Sequence, residues 1–123
     1  MLIADLQKFQ RMTGIYFTDQ RLLREALTHK SYATELNLKY DNQRLEFLGD
    51  AVVQIVLTKH LFHRYPDLQE GDLTKIRSAL VNQDTLAKFA RSISLGNYLM
   101  LGRGETESHG SDRDSTLSDA FEA

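Results

Sequence analysis

The sequence contains no cysteine and a single proline among 123 residues. Without cysteine there is no disulfide, no thiolate zinc site and no cysteine nucleophile. Strong charge of either sign is lacking too. Against 17 acidic side chains stand 15 basic ones, a net −2 with histidines neutral, which excludes a polycation that holds nucleic acid by bulk charge. Position has to decide instead, because an acidic cation-binding cluster with local basic patches can serve a nucleic-acid enzyme inside a near-neutral total. No run approaches the roughly 20 apolar residues of a membrane span, and Met1 to Asp5 carry no basic leader before an apolar run. A soluble, cytoplasmic protein with no membrane partner is expected. What is present, 41% hydrophobic and 26% charged residues, suits one globular domain, which at this length buries roughly two thirds of its unfolded surface.

Helical spacing dominates the chain. Leu2, Ile3, Leu6 and Phe9 recur at three and four, and Gly14 supplies a stop. Thr18 is expected to cap a second helix that buries Leu22, Leu23, Ala26 and Leu27. Leu45, Leu48, Val52 and Ile55 run along residues 43–63 as far as the block at Pro66, which predicts a central helix. Asp67 to Glu70 open another with Leu73, Ile76 and Leu80, and Asn82 or Asp84 opens one with Leu86, Phe89, Ala90 and Ile93 that stops at Gly96. Gly102, Gly104 and Gly110 among polar residues predict a mobile loop over 102–111, and a last helix starts near Ser115. No alternation of period two survives, so the expected fold is all-α.

Two acid pairs carry the chemistry. On the central helix Gln43, Glu46, Asp50 and Gln54 share a face away from the apolar stripe, and Asp119 and Glu122 share one on the last helix. Either pair alone is, in most proteins, simply a solvated surface. If the two faces pack together, however, four carboxylates enter one pocket and must protonate or bind cations. Oxygen ligands without cysteine or clustered histidine favour magnesium, with manganese as a substitute, over zinc. Two such ions can activate water and stabilise the oxygen that leaves a phosphodiester, which is nuclease chemistry.

The run Arg44-Leu45-Glu46-Phe47-Leu48-Gly49-Asp50-Ala51-Val52 resembles the signature of the ribonuclease III family. Leu27-Thr28-His29-Lys30-Ser31-Tyr32, Glu70-Gly71-Asp72-Leu73, Arg77-Ser78-Ala79-Leu80-Val81 and the segment from Ser115 to Ala123 resemble its other blocks, in its order. The resemblance implies a helical endonuclease domain that dimerises, cuts both strands of double-stranded RNA with divalent metal, and leaves 5′-phosphate and 3′-hydroxyl ends while processing ribosomal and messenger precursors. It implies that Glu46, Asp50, Asp119 and Glu122 bind metal, Asp50 and Glu122 foremost, and that Glu70 is an accessory acid near the cleavage valley. Gln43 stands where many relatives have glutamate, so the accessory role of that position is altered. Because the family's helix continues past the position of Ala123, residues 1–123 read as a nuclease domain cut within its last catalytic helix, without a double-stranded-RNA-binding domain.

Phe47 lies at the edge of the acidic face, where an apolar ring needs cover. Either a partner subunit in a two-fold dimer or a neighbouring helix of the same chain can provide it. Four histidines admit a metal-free ribonuclease mechanism. Of these, His60 and His63 suit the end of a helix beside Lys59 and Arg64, His29 reads as holding local structure, and His109 as exposed. Arg103 and Arg113 flank the glycine-bearing segment and are the first candidates for RNA contact, since an A-form duplex is read through placed donors. Gly102-Arg103-Gly104-Glu105 lacks the spacing of a nucleotide-cradling loop. The competing function is a non-catalytic RNA-binding or ribosome-associated relative of the same fold.

Overall fold

The computed structural model describes residues 3–123, with side chains from Asp5 onward. Leu2 and the Ile3 side chain, expected on the buried side of the first helix, lie outside the described residues. Among these, eight α-helices follow in order: α1 Ile3–Thr13, α2 Gln20–Ala26, α3 Lys30–Leu36, α4 Gln43–Arg64, α5 Glu70–Leu80, α6 Gln83–Ser92, α7 Arg103–Glu107 and α8 Asp114–Glu122. Short 3-10 turns occupy Leu95–Tyr98 and Gly110–Asp112. The only extended pairing among the described residues is one parallel bridge between Thr28 and Met100. The all-α expectation holds.

Local chemistry sets the helix ends. Gly14, at φ 73°, makes the left-handed turn that ends α1. Asp19 caps α2 in place of Thr18, its carboxylate accepting from the Arg21 N–H at 3.0 Å. Asn82 caps α6 by accepting from the Thr85 N–H at 2.9 Å. That helix ends earlier than Gly96, because Ser94 takes the left-handed turn at φ 53°.

Residues 102–111 are not the mobile loop their glycines suggest. They form α7 and the start of the second 3-10 turn. Arg113 Nη1 donates to Glu105 Oε2 at 2.9 Å, the Gly102 N–H to Ser31 Oγ at 2.8 Å and the Arg103 N–H to Glu35 Oε2 at 2.7 Å. Gly110 packs against Glu105 so closely that a Cβ there would lie 2.8 Å from its carbonyl oxygen. Gly102 and Gly110 allow close approach.

The larger correction concerns α4. The buried cluster is built by Leu6 and Phe9 of α1, Leu23 of α2, Leu27, Ala87 and Ala90 of α6, Leu95, Tyr98, Met100, and Leu117 and Ala120 of α8. On α4 only Leu61 is buried among the described residues. Phe47 is 83% exposed, Ile55 64% and Val56 63%, and Leu48, Val52 and Phe62 are exposed as well. On α5 no residue is buried. The centre of the fold is α8, which packs most extensively on α6 and then on α4. An apolar stripe says that a face avoids water and does not say what covers it.

Candidate active site

Position 49 sets the meeting of α4 and α8. A Cβ on Gly49 would be driven into the carbonyl of Glu122, so the absent side chain lets the last turn of α8 rest directly on α4. The first turn of α4 is anchored from behind. Asn42, buried, donates its N–H to the Thr28 carbonyl at 2.9 Å and its Nδ2 to the Ala26 carbonyl at 3.2 Å, and its own carbonyl accepts from the Glu46 N–H at 2.8 Å. Glu46 and Asp50 follow one turn apart on α4. Asp119 and Glu122 lie about one turn apart on α8.

Glu122 and Glu46 each feel the charges of neighbouring acids. Burial pushes the Glu122 carboxyl up to about 7, aided by a hydrogen bond to Asp50 and by the charges of Asp50, Glu46 and Asp119. Glu46 is raised by burial and then by the charges of Asp119 and Asp50. Asp119 is raised by burial, against a lowering pull from His29. Oε2 of Glu122 is buried and has no hydrogen-bond partner. A buried carboxylate oxygen without a donor is costly, and a proton or a cation satisfies it. No three acid or histidine side chains among the described residues stand in finished ligating geometry. The residue types fit a hard divalent cation; the arrangement as it stands is a crowd of carboxylates around one crossing.

The other predicted residues divide. Gln43 is exposed in the first turn of α4, its N–H donating to Asp41 Oδ1 at 2.9 Å. Glu70 is set apart from the four acids. It opens α5 and lines a cleft of about 300 Å³ with Thr58, Leu61, Phe62, Leu73, Thr74 and Arg77, whose α4 residues lie two to three turns, or about 12–18 Å, along the helix from Asp50. Separation along a rigid helix explains why the accessory acid expected in the valley does not join them within one protomer. Among the described residues Phe47 has little cover, its ring being 83% exposed. Of the arginines, Arg113 is paired to Glu105 and Arg103 has an exposed side chain. His60, His63 and His109 are exposed.

Two residues at the site were not singled out for it by sequence reading. Gly49 carried a signal, since a glycine inside a helix costs about 1 kcal/mol against alanine and implies close packing. His29 carried a weaker one. Its ring caps α3 as expected of a structural residue, yet it also acts electrostatically on Asp119.

The result is a small all-helical domain whose α4 and α8 bring carboxylates together across a glycine crossing. The comparisons agree. Residues 19–123 match the family model for ribonuclease-III-like domains, and the chain belongs to that family. It is 56% identical over 110 residues to Ribonuclease 3 of Symbiobacterium thermophilum, covering 89% of this chain and 46% of that protein. To Ribonuclease 3 of Bacillus cereus it is 47% identical over 117 residues, covering 94% and 48%. The chain thus spans about half the length of these curated relatives. Two solved structures of the nuclease domain of ribonuclease III from Campylobacter jejuni are 43% identical. They superpose with TM-scores of 0.88 and 0.85, covering 95% and 94% of this chain and 79% and 76% of theirs. One is described as flexible in a region involved in dimer formation.

Proposed function

We propose that residues 1–123 form the nuclease domain of a cytoplasmic endoribonuclease that hydrolyses double-stranded RNA, in the maturation of ribosomal and messenger precursors. The observation that carries this is the acidic crossing, where Glu46, Asp50, Asp119 and Glu122 interact and one Glu122 oxygen is buried without a partner. A non-catalytic RNA-binding relative has no use for such a carboxylate. Glu46, Asp50, Asp119 and Glu122 would hold magnesium, or manganese in its place, and a bound divalent ion supplies an acidified water and charge neutralisation at the phosphate. The carboxylates also accept hydrogen bonds from the attacking water and so orient it. Water adds to phosphorus, the P–O3′ bond breaks and the 3′-oxygen leaves with a proton, giving 5′-phosphate and 3′-hydroxyl ends. Arg103 and Arg113, on the segment leading into α8, are the proposed phosphate contacts.

Magnesium titrated into the protein is expected to stabilise it. A cation that binds only the native state adds about 2.7 kcal/mol at 100 times its dissociation constant. Asp50→Asn combined with Glu122→Gln should abolish the shift together with cleavage of long duplex RNA, single-stranded RNA and duplex DNA serving as controls. A shift of equal size in the double variant would end the cation-site reading, and cleavage that survives a chelator would favour the histidines.

The exposed stripe of α4 carries the second part of the proposal, a homodimer. Phe47, Leu48, Val52 and Ile55 form a continuous apolar face beside the acids, and a two-fold axis through it would set two acidic sites on one groove, one per RNA strand. Phe47→Ala is expected to lower the sedimenting mass toward the monomer at low micromolar concentration without lowering the melting temperature of the monomer, since the ring touches little in its own chain. An unchanged mass would remove Phe47 from the interface.

A further inference from the structure

α8 carries two of the four acids, and its N-terminal end is held by one side chain. Arg91, in the last turn of α6, reaches across to the residues on either side of Arg113. Its Nε donates to Asp112 Oδ1 at 3.1 Å, and its Nη2 donates to the Asp112 carbonyl at 2.8 Å and to Asp114 Oδ1 at 2.6 Å. The planar guanidinium thus meets three acceptors on two residues, an arrangement that a flexible ammonium does not reproduce. Between those residues the Arg113 carbonyl accepts from the Leu117 N–H at 3.0 Å, a hydrogen bond that opens α8.

Side-chain packing does not fix this end of the helix. A cleft of about 340 Å³ lies beside the contact, lined by Arg91, Ser94, Gly96, Asn97, Ser111 and Asp112. Further along, Leu117 and Ala120 are buried in the core, but apolar contact is non-directional and sets how close α8 lies to α6 more than its register along it. At the other end the Glu122 carbonyl rests on Gly49. Asp119 and Glu122 follow Asp114 by about 7.5 and 12 Å along the axis, on the span that these two contacts bracket. A rotation of about 20° moves a side chain at the rim of a helix by about 2 Å.

We propose that Arg91 is a positioning residue for the acids of α8: by gripping Asp112 and Asp114 it sets the rotation and register of the helix, and so the places of Asp119 and Glu122 against Glu46 and Asp50. This rests on the reading of the acidic crossing as the catalytic site. Exposed ion pairs add little to stability, and Arg91, Asp112 and Asp114 are all partly exposed. The grip is therefore expected to matter more for geometry than for melting temperature.

Arg91→Ala and Asp114→Ala break the grip from its two sides and change the local charge in opposite directions, so an effect on RNA through charge alone must differ in sign between them. On duplex RNA at saturating magnesium, well below the melting temperatures, kcat is expected to fall about 10-fold in both. The double variant should lose about as much as R91A alone, since both substitutions remove one contact. Amide resonances of Gly49 and Glu122 in a nitrogen–proton correlation spectrum should move in both single variants. Asn82→Ala, which removes the cap at the far end of α6, should lower the melting temperature and keep kcat within twofold of the wild type. A kcat within twofold in R91A or D114A would overturn the proposal, as would a fall in N82A as large as theirs, the mark of weaker folding in general. Resonance changes confined to the surroundings of residues 91 and 114 would overturn it too, whether or not the chain cleaves RNA. Wild-type protein that cleaves no duplex would end the catalytic reading, while resonances that still move at Gly49 and Glu122 would keep Arg91 as the residue that seats α8.

Discussion

Gly49→Ala is expected to lower the melting temperature and reduce duplex-RNA cleavage about 100-fold. The two effects have one cause. The added methyl would meet the carbonyl of Glu122, a backbone atom with no rotamer to escape through, so α8 has to shift. Overpacking of this kind costs roughly 1–3 kcal/mol. The shift carries Asp119 and Glu122 away from Glu46 and Asp50, and a displacement of about 1 Å in a reacting constellation costs on the order of 10²-fold in rate. Helix propensity predicts the opposite sign, since alanine is better than glycine inside α4 by about 1 kcal/mol. A variant that melts higher than the wild type would therefore show that the crossing is looser than its geometry indicates. A variant that melts lower but cleaves normally would show that the contact between α4 and α8 matters for stability alone. Circular dichroism and a gel assay on a long duplex separate these outcomes.

How legible the fold was depends on which property each residue signals. Gly14 and Asn82 announce a turn and a cap through their own backbone and side-chain chemistry, and the structure uses both. The stripe of Leu45, Leu48, Val52 and Ile55 announces helix correctly, but periodicity is a property of one helix and burial of a pair. Placing α4 at the centre assumed that its cover lay within the chain. The glycines at 102 and 110 mislead for a related reason, because glycine permits either mobility or close approach and only Ser31, Glu35 and Glu105 decide which. α3 was not read as a helix at all, being seven residues long with a histidine cap that no common capping rule favours. At the site, the acid spacing on each helix was readable, whereas their convergence depends on Gly49, and the distance of Glu70 from them on the length of α4.

Glu122→Gln is expected to reduce cleavage by about 10³-fold, the loss of several kcal/mol of charge stabilisation at the phosphate. It should also change how stability depends on pH. In the cation-free protein the Glu122 carboxyl is pushed up to about 7 from an ordinary 4.5, so the folded chain holds that proton more tightly than the unfolded one. Below about pH 4.5 both states carry it and Glu122 costs nothing. As pH rises from there to about 7 the unfolded chain releases its proton first, and stability falls; above 7 a charged, half-buried carboxylate remains, at a cost of roughly 1–2 kcal/mol once solvent screening is counted. Glutamine has no proton to lose, so the difference in melting temperature between E122Q and the wild type should widen in favour of the variant between about pH 5 and pH 8. Saturating magnesium should reverse the order. The cation needs the deprotonated carboxylate, so it tightens its hold on the wild type up to about pH 7 and releases a proton on binding, while E122Q gains little. Parallel pH profiles for the two proteins without magnesium would mean that Glu122 is already well solvated, and that the crossing holds far less stored repulsion than its buried, unpartnered oxygen indicates.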